Sequence, residues 1–387
     1  MSEYFLPFAR PVIDQATIDE VVDCLRSGWI TTGPRVKRFE QDLTAYLGAS
    51  QALALSSATA GLHLALLALD LRPGDEVVTT PLTFAATLNT IVLAGGRPVL
   101  VDVEPGTFNL DVSQLAGVVS ERTRAIVPVH FAGLPVDLDP LYALARRHEI
   151  RVIEDAAHAI GAEYQGRRIG SFGDTQVFSF HPNKNMTTGE GGCVATRDAE
   201  LAERVALLRF HGMDREAWER FGKKGTQHYE IIAPGFKYNM MDIQAALGIH
   251  QLRALEDFIA RRTELARRYQ VHFSGWSEVT LPSAPSYPHR HAWHLFTVLI
   301  ESESAGMDRD GFMARMKAHN IGTGLHYRCV HLYPYYRERF GFRHGQFPNA
   351  ERIGERIVSL PLFPSMTEAE QERVLSAMGR ILKKRAA

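Results

Sequence analysis

The sequence predicts an α/β protein: a large domain around a mainly parallel buried sheet, and a smaller α+β domain at the C-terminal end. Three observations carry that reading. Short apolar runs alternate with helical stretches from about residue 50 to 200, as in a sheet with crossover helices. From about 199 to 270 the pattern turns helical, and a composition shift follows at Leu281-Pro282-Ser283-Ala284-Pro285-Ser286-Tyr287-Pro288. At 387 residues, 45% hydrophobic and 22% charged, the chain has the length for two domains and a globular composition. The expected division is 1–250 for the large domain and 251–387 for a connecting helix and the small one.

Strand candidates in the first part are Ala52–Leu55, Glu76–Thr80, Pro98–Val101, Ala125–Val129, Arg151–Ile153, Thr175–Ser179 and Gly192–Thr196. Between them lie helix-like stretches at Gly61–Leu69, Thr83–Leu93, Val112–Val119 and Leu138–Arg147. The clearest is Gly61–Leu69, with Leu62, Ala65, Leu66 and Leu69 at i, i+3, i+4 and i+7. Ala245–Leu252 leads into the charged, breaker-free run Leu255–Tyr269, read as a connecting helix. The last part is expected to hold a strand at Trp293–Ile300 and helices at Arg309–Lys317 and Glu368–Lys383.

Composition excludes several function classes. The formal net charge is −1 and the basic residues are dispersed, which argues against nucleic acid as the main partner but leaves room for a local phosphate pocket. Three cysteines, Cys24, Cys193 and Cys329, lack metal-type spacing and suggest a reducing compartment without disulfides. The N-terminal residues show no signal-peptide pattern, and the longest apolar segment, Leu62 to Leu69, is too short to span a bilayer. The expectation is a cytoplasmic protein with no membrane partner.

The chemistry centres on Lys184. It lies in Phe178-Ser179-Phe180-His181-Pro182-Asn183-Lys184, just ahead of the glycine-rich Thr187-Thr188-Gly189-Glu190-Gly191-Gly192. Upstream, the strand-like Ile150–Ile153 ends in Glu154-Asp155. A lysine able to form a Schiff base and an acid able to hold a pyridinium nitrogen are what pyridoxal 5′-phosphate (PLP) requires of a protein. Ser56-Ser57-Ala58-Thr59-Ala60-Gly61 sits between a strand and the clear helix. It reads either as an anion site for a cofactor phosphate or as ordinary helix capping. Ser57, Ala58, Thr59 and Ser179 are the candidates for that phosphate. Phe84, at a strand-to-helix junction, is either core or a platform for the pyridine ring. His158, three residues after Asp155, is placed to cover a cofactor face or contact its hydroxyl.

Weaker signals stay outside this set. His289, His291 and His294 form His-x-His-x-x-His without an acidic or cysteine partner, so no metal is expected. The glycine-rich run lacks the ending of a nucleotide P-loop. His331 is read as structural, and Arg209-Phe210-His211-Gly212 as a loose candidate for lining the substrate site.

Several segments together resemble the DegT/DnrJ/EryC1/StrS family of PLP-dependent sugar aminotransferases over nearly the whole chain. They are Gly28-Trp29-Ile30-Thr31-Thr32-Gly33-Pro34, the Ser56–Gly61 run, Pro128–Gly133, Glu154-Asp155-Ala156-Ala157-His158-Ala159-Ile160-Gly161, the lysine segment, Gly235-Phe236-Lys237-Tyr238-Asn239 and Gly324-Leu325-His326-Tyr327. The resemblance implies fold type I, as in aspartate aminotransferase, and a homodimer whose active sites are built from both chains, with residues 1–35 contributing. It implies that Lys184 and Asp155 are catalytic, since relatives with histidine at the lysine position are dehydratases. It further implies that Asn239 reaches the partner's PLP phosphate, and that Trp29, Thr31, Lys237, His326 and Tyr327 bind substrate.

The implied substrates are a sugar nucleotide and L-glutamate, leaving 2-oxoglutarate. Within the family, the segments around Trp29, Asp155, Lys237, Trp293 and His326 are most similar to the branch that makes UDP-4-amino-4-deoxy-L-arabinose for lipid A. The chain departs from that branch at His181-Pro182-Asn183, at Thr187-Thr188 and at Phe84. Transfer to another UDP- or dTDP-keto-hexose, at C3 or C4, therefore stays open, as does a non-catalytic PLP-binding regulator.

Overall fold

A computed structural model describes residues 4–214 and 228–382. Its centre is a seven-stranded sheet of β1 (Gln51–Leu55), β2 (Glu76–Thr79), β3 (Arg97–Leu100), β4 (Thr123–Ile126), β5 (Arg151–Asp155), β6 (Thr175–Ser179) and β7 (Gly192–Thr196). The spatial order is β1-β7-β6-β5-β4-β2-β3. Only β7 runs against its neighbours, pairing antiparallel with both β1 and β6. Six strands therefore end at one edge of the sheet, where open α/β sheets bind ligands. Strands β2, β6 and β7 are buried along their whole length, which accounts for apolar runs without alternation.

Helix α1 (Gln15–Ser27) and α2 (Pro34–Leu47) precede the sheet, and α3 (Ala58–Leu67), α4 (Ala85–Leu93), α5 (Leu138–Arg147) and α6 (Ala199–Leu208) cover it. Helix α3 begins three residues before the expected Gly61, because the Ser57 hydroxyl accepts the Ala60 N–H at 3.1 Å and caps it there. It is buried from Ala60 to Leu66. Gly61 is the reason it lies so close to the sheet: a Cβ there would sit 2.7 Å from Val177 Cγ1. Helix α4 likewise starts at Ala85 rather than Thr83. The helix expected over Val112–Val119 is a 3₁₀ turn, Val112–Gln114, and a single helical turn, Leu115–Val118.

The expected connecting helix is two helices, α7 (Asp242–Arg253) and α8 (Leu255–Phe273), broken at Ala254. Beyond them, β8 (Val279–Thr280), β9 (Phe296–Ile300) and β10 (Ile357–Leu360) form an antiparallel sheet in the order β8-β9-β10. It packs with α8, α9 (Arg309–Ala318) and α10 (Glu368–Leu382) around Leu265, Tyr269, Phe296, Val298, Phe312 and Met378. Leu6 joins this core: its N–H donates to Asn320 O at 2.9 Å, and its carbonyl accepts from Gly322 N at 2.8 Å. Strand β9 starts three residues later than predicted, because Trp293 turns the backbone left-handed at φ 48°. Lys383, expected to end the last helix, lies outside the described residues. No helix among the described residues is long and apolar enough to cross a membrane.

Candidate active site

A cavity of about 310 Å³ opens at the edge where β1, β5 and β6 end. Ser57, Ala58, Thr59, Phe84, Asp155, His158, Ser179, Lys184, His326 and Tyr327 all line it. The turn after β1 brings Ser57, Ala58 and Thr59. The start of α4 brings Phe84, the end of β5 brings Asp155, and the β6–β7 connection brings Lys184.

Lys184 is held in a tight turn by its own N–H to His181 O at 2.9 Å, and the loop is closed by Phe180 N to Gly191 O at 2.9 Å. Burial pushes its amine down to about 8, while the charge of Asp155 pulls the other way. Asp155 is buried and its carboxyl is raised, because burial outweighs the hydrogen bonds it accepts. Those come from Thr87 Oγ1 to Oδ2 at 2.8 Å and Ala157 N–H to Oδ1 at 3.2 Å. Thr83 Oγ1 lies 2.8 Å from Thr87 Oγ1 and extends the chain.

His158 Nε2 lies 3.0 Å from the Tyr327 hydroxyl, and its Nδ1 is buried with no hydrogen-bond partner. Burial holds this imidazole well below its usual range, so it is neutral at pH 7. His326 is pushed down to about 3 by burial, and its Nδ1 lies 2.9 Å from Ser359 Oγ. Phe84 is 60% exposed, with its ring centroid 6.0 Å from that of Tyr327. Gly192 in β7 lets the Ser57 turn approach: a Cβ there would lie 2.4 Å from Ser57 C and Ala58 N. The first amides of α3 have no partner within the helix, and Ala58 and Thr59 line the cavity.

Trp29, Thr31, Lys237 and Asn239 do not line it; they form a cluster of their own. Trp29 Nε1 donates to Thr32 O at 3.0 Å, and Thr31 O accepts from Asp242 N at 3.1 Å. Lys237 Nζ donates to Asn239 Oδ1 at 2.7 Å, and Asn239 Nδ2 donates to Thr32 Oγ1. The cluster touches the Ser57 turn through Ser56 N–H to Tyr238 O at 2.7 Å.

Other singled-out residues are placed elsewhere. Arg209 pairs with Glu40 and donates to Ala54 O rather than lining the cavity. His331 is buried 3.0 Å from Glu351. His289 faces the Tyr287 carbonyl, His291 accepts the Trp293 N–H, and His294 turns to Lys184. Among the described residues no group of three or more His, Cys, Asp or Glu is placed to hold a metal.

Reasoning from sequence missed Thr83, Thr87 and His294. The i, i+4 spacing of the threonines is the available signal, and the His-x-His-x-x-His pattern points His294 toward a metal rather than toward Lys184.

The lining residues suit PLP. One amine is kept partly neutral, one buried carboxylate accepts only two hydrogen bonds, His158 Nδ1 lacks a partner, and a capped helix start can receive a phosphate. A model of the DegT/DnrJ/EryC1/StrS aminotransferase family matches residues 11–379. The chain belongs to that family.

Among relatives, it is 45% identical over 386 residues to the UDP-4-amino-4-deoxy-L-arabinose–oxoglutarate aminotransferase of Shewanella sediminis, covering 99% of each chain. It is 44% identical over 381 residues to SpsC of Bacillus subtilis, a spore coat polysaccharide biosynthesis protein, covering 98% of each. The PLP form of Spr1654 from Streptococcus pneumoniae superposes with a TM-score of 0.91 at 32% identity, covering 98% of this chain and 99% of that one. This DegT/DnrJ/EryC1/StrS member is thus a PLP-dependent sugar aminotransferase of fold type I.

Proposed function

We propose that the enzyme transfers the amino group of L-glutamate to the 4-keto carbon of a nucleotide-linked sugar, forming UDP-4-amino-4-deoxy-L-arabinose and 2-oxoglutarate. The observation that carries the chemistry is the burial of Lys184 and Asp155 in one cavity at the carboxyl edge of the sheet. The relative of that name, similar over its full length, supports the sugar.

When bound, PLP supplies a carbonyl that takes up the amino group and a ring that stores the electrons of the broken C–H bond. Ser57, Ala58, Thr59 and Ser179 would hold its phosphate, Asp155 its ring nitrogen, and Phe84 and His158 its faces. Lys184 is the base and acid of the chain. With its amine near 8, it is part neutral and part protonated at working pH. It can therefore take the proton from the donor's Cα and return one to C4 of the sugar. Tyr327, His326 and the apolar rim keep water from that proton.

The same reading assigns Trp29, Thr31, Lys237 and Asn239 to the cavity of a second copy in a homodimer. Their grouping away from their own cavity supports this. Residues 1–250 would carry the cofactor, and 251–387 would close over it. A cytoplasmic location is proposed from three cysteines that are all free and buried, and a role in lipopolysaccharide precursor synthesis follows from the sugar.

A second reading, a UDP- or dTDP-keto-hexose as acceptor, rests on Asn183 and Phe84. These residues depart from the arabinose branch, and both line the cavity. An absorbance scan of the PLP-loaded protein separates the readings. L-glutamate should remove the band of lysine-bound cofactor, and UDP-4-keto-pentose should restore it. Restoration only by a keto-hexose nucleotide selects the second reading. No response to any amino donor would reject transamination in favour of a silent PLP binder.

A further inference from the structure

Residues 291–295 belong to no regular element up to the start of β9, yet they are fixed from several sides. Trp293 N–H donates to His291 Nδ1 at 2.8 Å, Ala292 N–H to Gly133 O at 2.9 Å, and Asn185 Nδ2 to Ala292 O at 2.6 Å. Arg262 Nη1 donates to the carbonyls of Trp293 at 3.3 Å, His294 at 3.2 Å and Leu362 at 2.9 Å. These bonds hold Trp293 at φ 48°, a conformation that persists in a bulky residue only where its surroundings over-determine it.

The product of this bracing is the aim of one side chain. His294 is 2% exposed, its Nε2 lies 3.5 Å from Lys184 Nζ, and its Nδ1 has no partner. Its ring stands 4.3 Å from that of His158.

We propose that His294 is a positioning residue that holds the Lys184 amino group by accepting a hydrogen bond from its protonated form. Among the described residues, His294 Nε2 is the one hydrogen-bonding atom beside Nζ. During turnover Lys184 must carry a proton between two substrates inside an apolar cavity, and a buried ammonium without an acceptor is costly. The groups facing this contact are the carboxyl of Asp155, the guanidinium of Arg262 and the imidazoles of His158 and His326. Burial keeps both His294 and His158 neutral, so His294 accepts without taking the proton away. The third histidine of the His-x-His-x-x-His motif thus acts on an amine instead of a metal.

The inference rests on Lys184 being the acting amine, and its test reads the full-length protein freed of cofactor. Competitive acylation across pH, with Lys184 followed by peptide mass mapping, gives the ionisation of that one amine. The wild type should titrate near 8. H294L should titrate about one to two pH units lower, the value of a hydrogen bond to a charged group, and H294Q, which keeps an acceptor, should stay near the wild type. An unchanged or raised titration in folded H294L overturns the proposal.

If H294L does not fold, ¹⁵N spectra of the wild-type imidazole decide, with the resonance assigned by its loss in H294Q. A step in the His294 signal near pH 8 that vanishes in K184A supports the contact, and its absence rejects it. A wild-type Lys184 that titrates like an exposed lysine would instead defeat the buried-amine reading, so the two failures are distinct.

Discussion

Glu154 and Asp155 are neighbours at the end of β5, and the pleat sends them to opposite faces of the sheet. Glu154 accepts three hydrogen bonds. Its Oε1 accepts from Tyr142 Oη at 2.6 Å and Gln176 Nε2 at 2.6 Å, and its Oε2 accepts from His130 Nε2 at 2.8 Å. His130 can donate there because its Nδ1 is occupied by the Val136 N–H at 3.0 Å. Asp155 accepts from one hydroxyl and one amide, and beside it stand His158 and His294, each with an unpartnered Nδ1. Burial is complete on both faces, so it does not tell the two apart. At this strand end the difference lies in hydrogen bonding and in the cavity: Glu154 accepts three bonds within the protein, whereas Asp155 accepts two and lines the open cavity with His158.

The comparison can be broken most forcefully at Lys184. K184A should lower turnover by about 10⁴-fold, the upper end of the range of positioned acid–base catalysis, and remove the absorbance of lysine-bound cofactor while circular dichroism stays native. Turnover near the wild-type rate would end the assignment.

Next comes the open carboxylate. D155N should keep the fold and some cofactor but lose about 10²-fold or more in rate, because the ring nitrogen loses its counter-charge. In cofactor-free protein the same substitution should be stabilising. The folded state raises the carboxyl of Asp155, so ionisation costs stability at neutral pH. That cost fades as pH falls below the ordinary carboxyl range, and thermal melts of the two proteins should converge there. A D155N variant less stable than wild type at pH 7 would mean that Asp155 is structural after all.

The closed carboxylate should behave oppositely. E154A strands His130, Tyr142 and Gln176 without their acceptor and should cost about 3–5 kcal/mol of stability, as urea unfolding would measure. A loss below about 1 kcal/mol would show that water replaces the carboxylate and that the network is not closed.

The smallest effect is expected at T87V, which removes one hydroxyl from Asp155 and keeps the shape. The rate should fall about tenfold and stability by about 1–3 kcal/mol, because the buried Thr83 and Asp155 each lose a partner. A rate unchanged in T87V would leave Asp155 oriented by Ala157 N–H alone.

Much of this architecture is legible in the chain. Each predicted strand of the large sheet is present within a few residues, because fully buried parallel strands must be short apolar runs. Lys184, Asp155 and Ser57 are legible because PLP chemistry narrows the residue types expected at a strand end or helix start, and the structure brings all three to one cavity. The helix and strand edges were not. Ser57 moved the start of α3 forward by capping it, and the hydrogen bonds to Ala292, Trp293 and His294 delayed β9 to Phe296. Those bonds come from Asn185 and Arg262, residues far away in sequence, and no local pattern announces them.

The sequence by itself therefore determined the layered α/β framework, the amine, the acid and the family, since periodicity and motif order are local properties. Only the tertiary structure decided which polar groups are saturated. It left Asp155, His158 and His294 with open valences around Lys184 and gathered Trp29, Lys237 and Asn239 into a separate cluster. The physical reason is that hydrogen-bond satisfaction is a property of all the neighbours at once, and those neighbours meet only when the sheet has brought its strand ends to one edge.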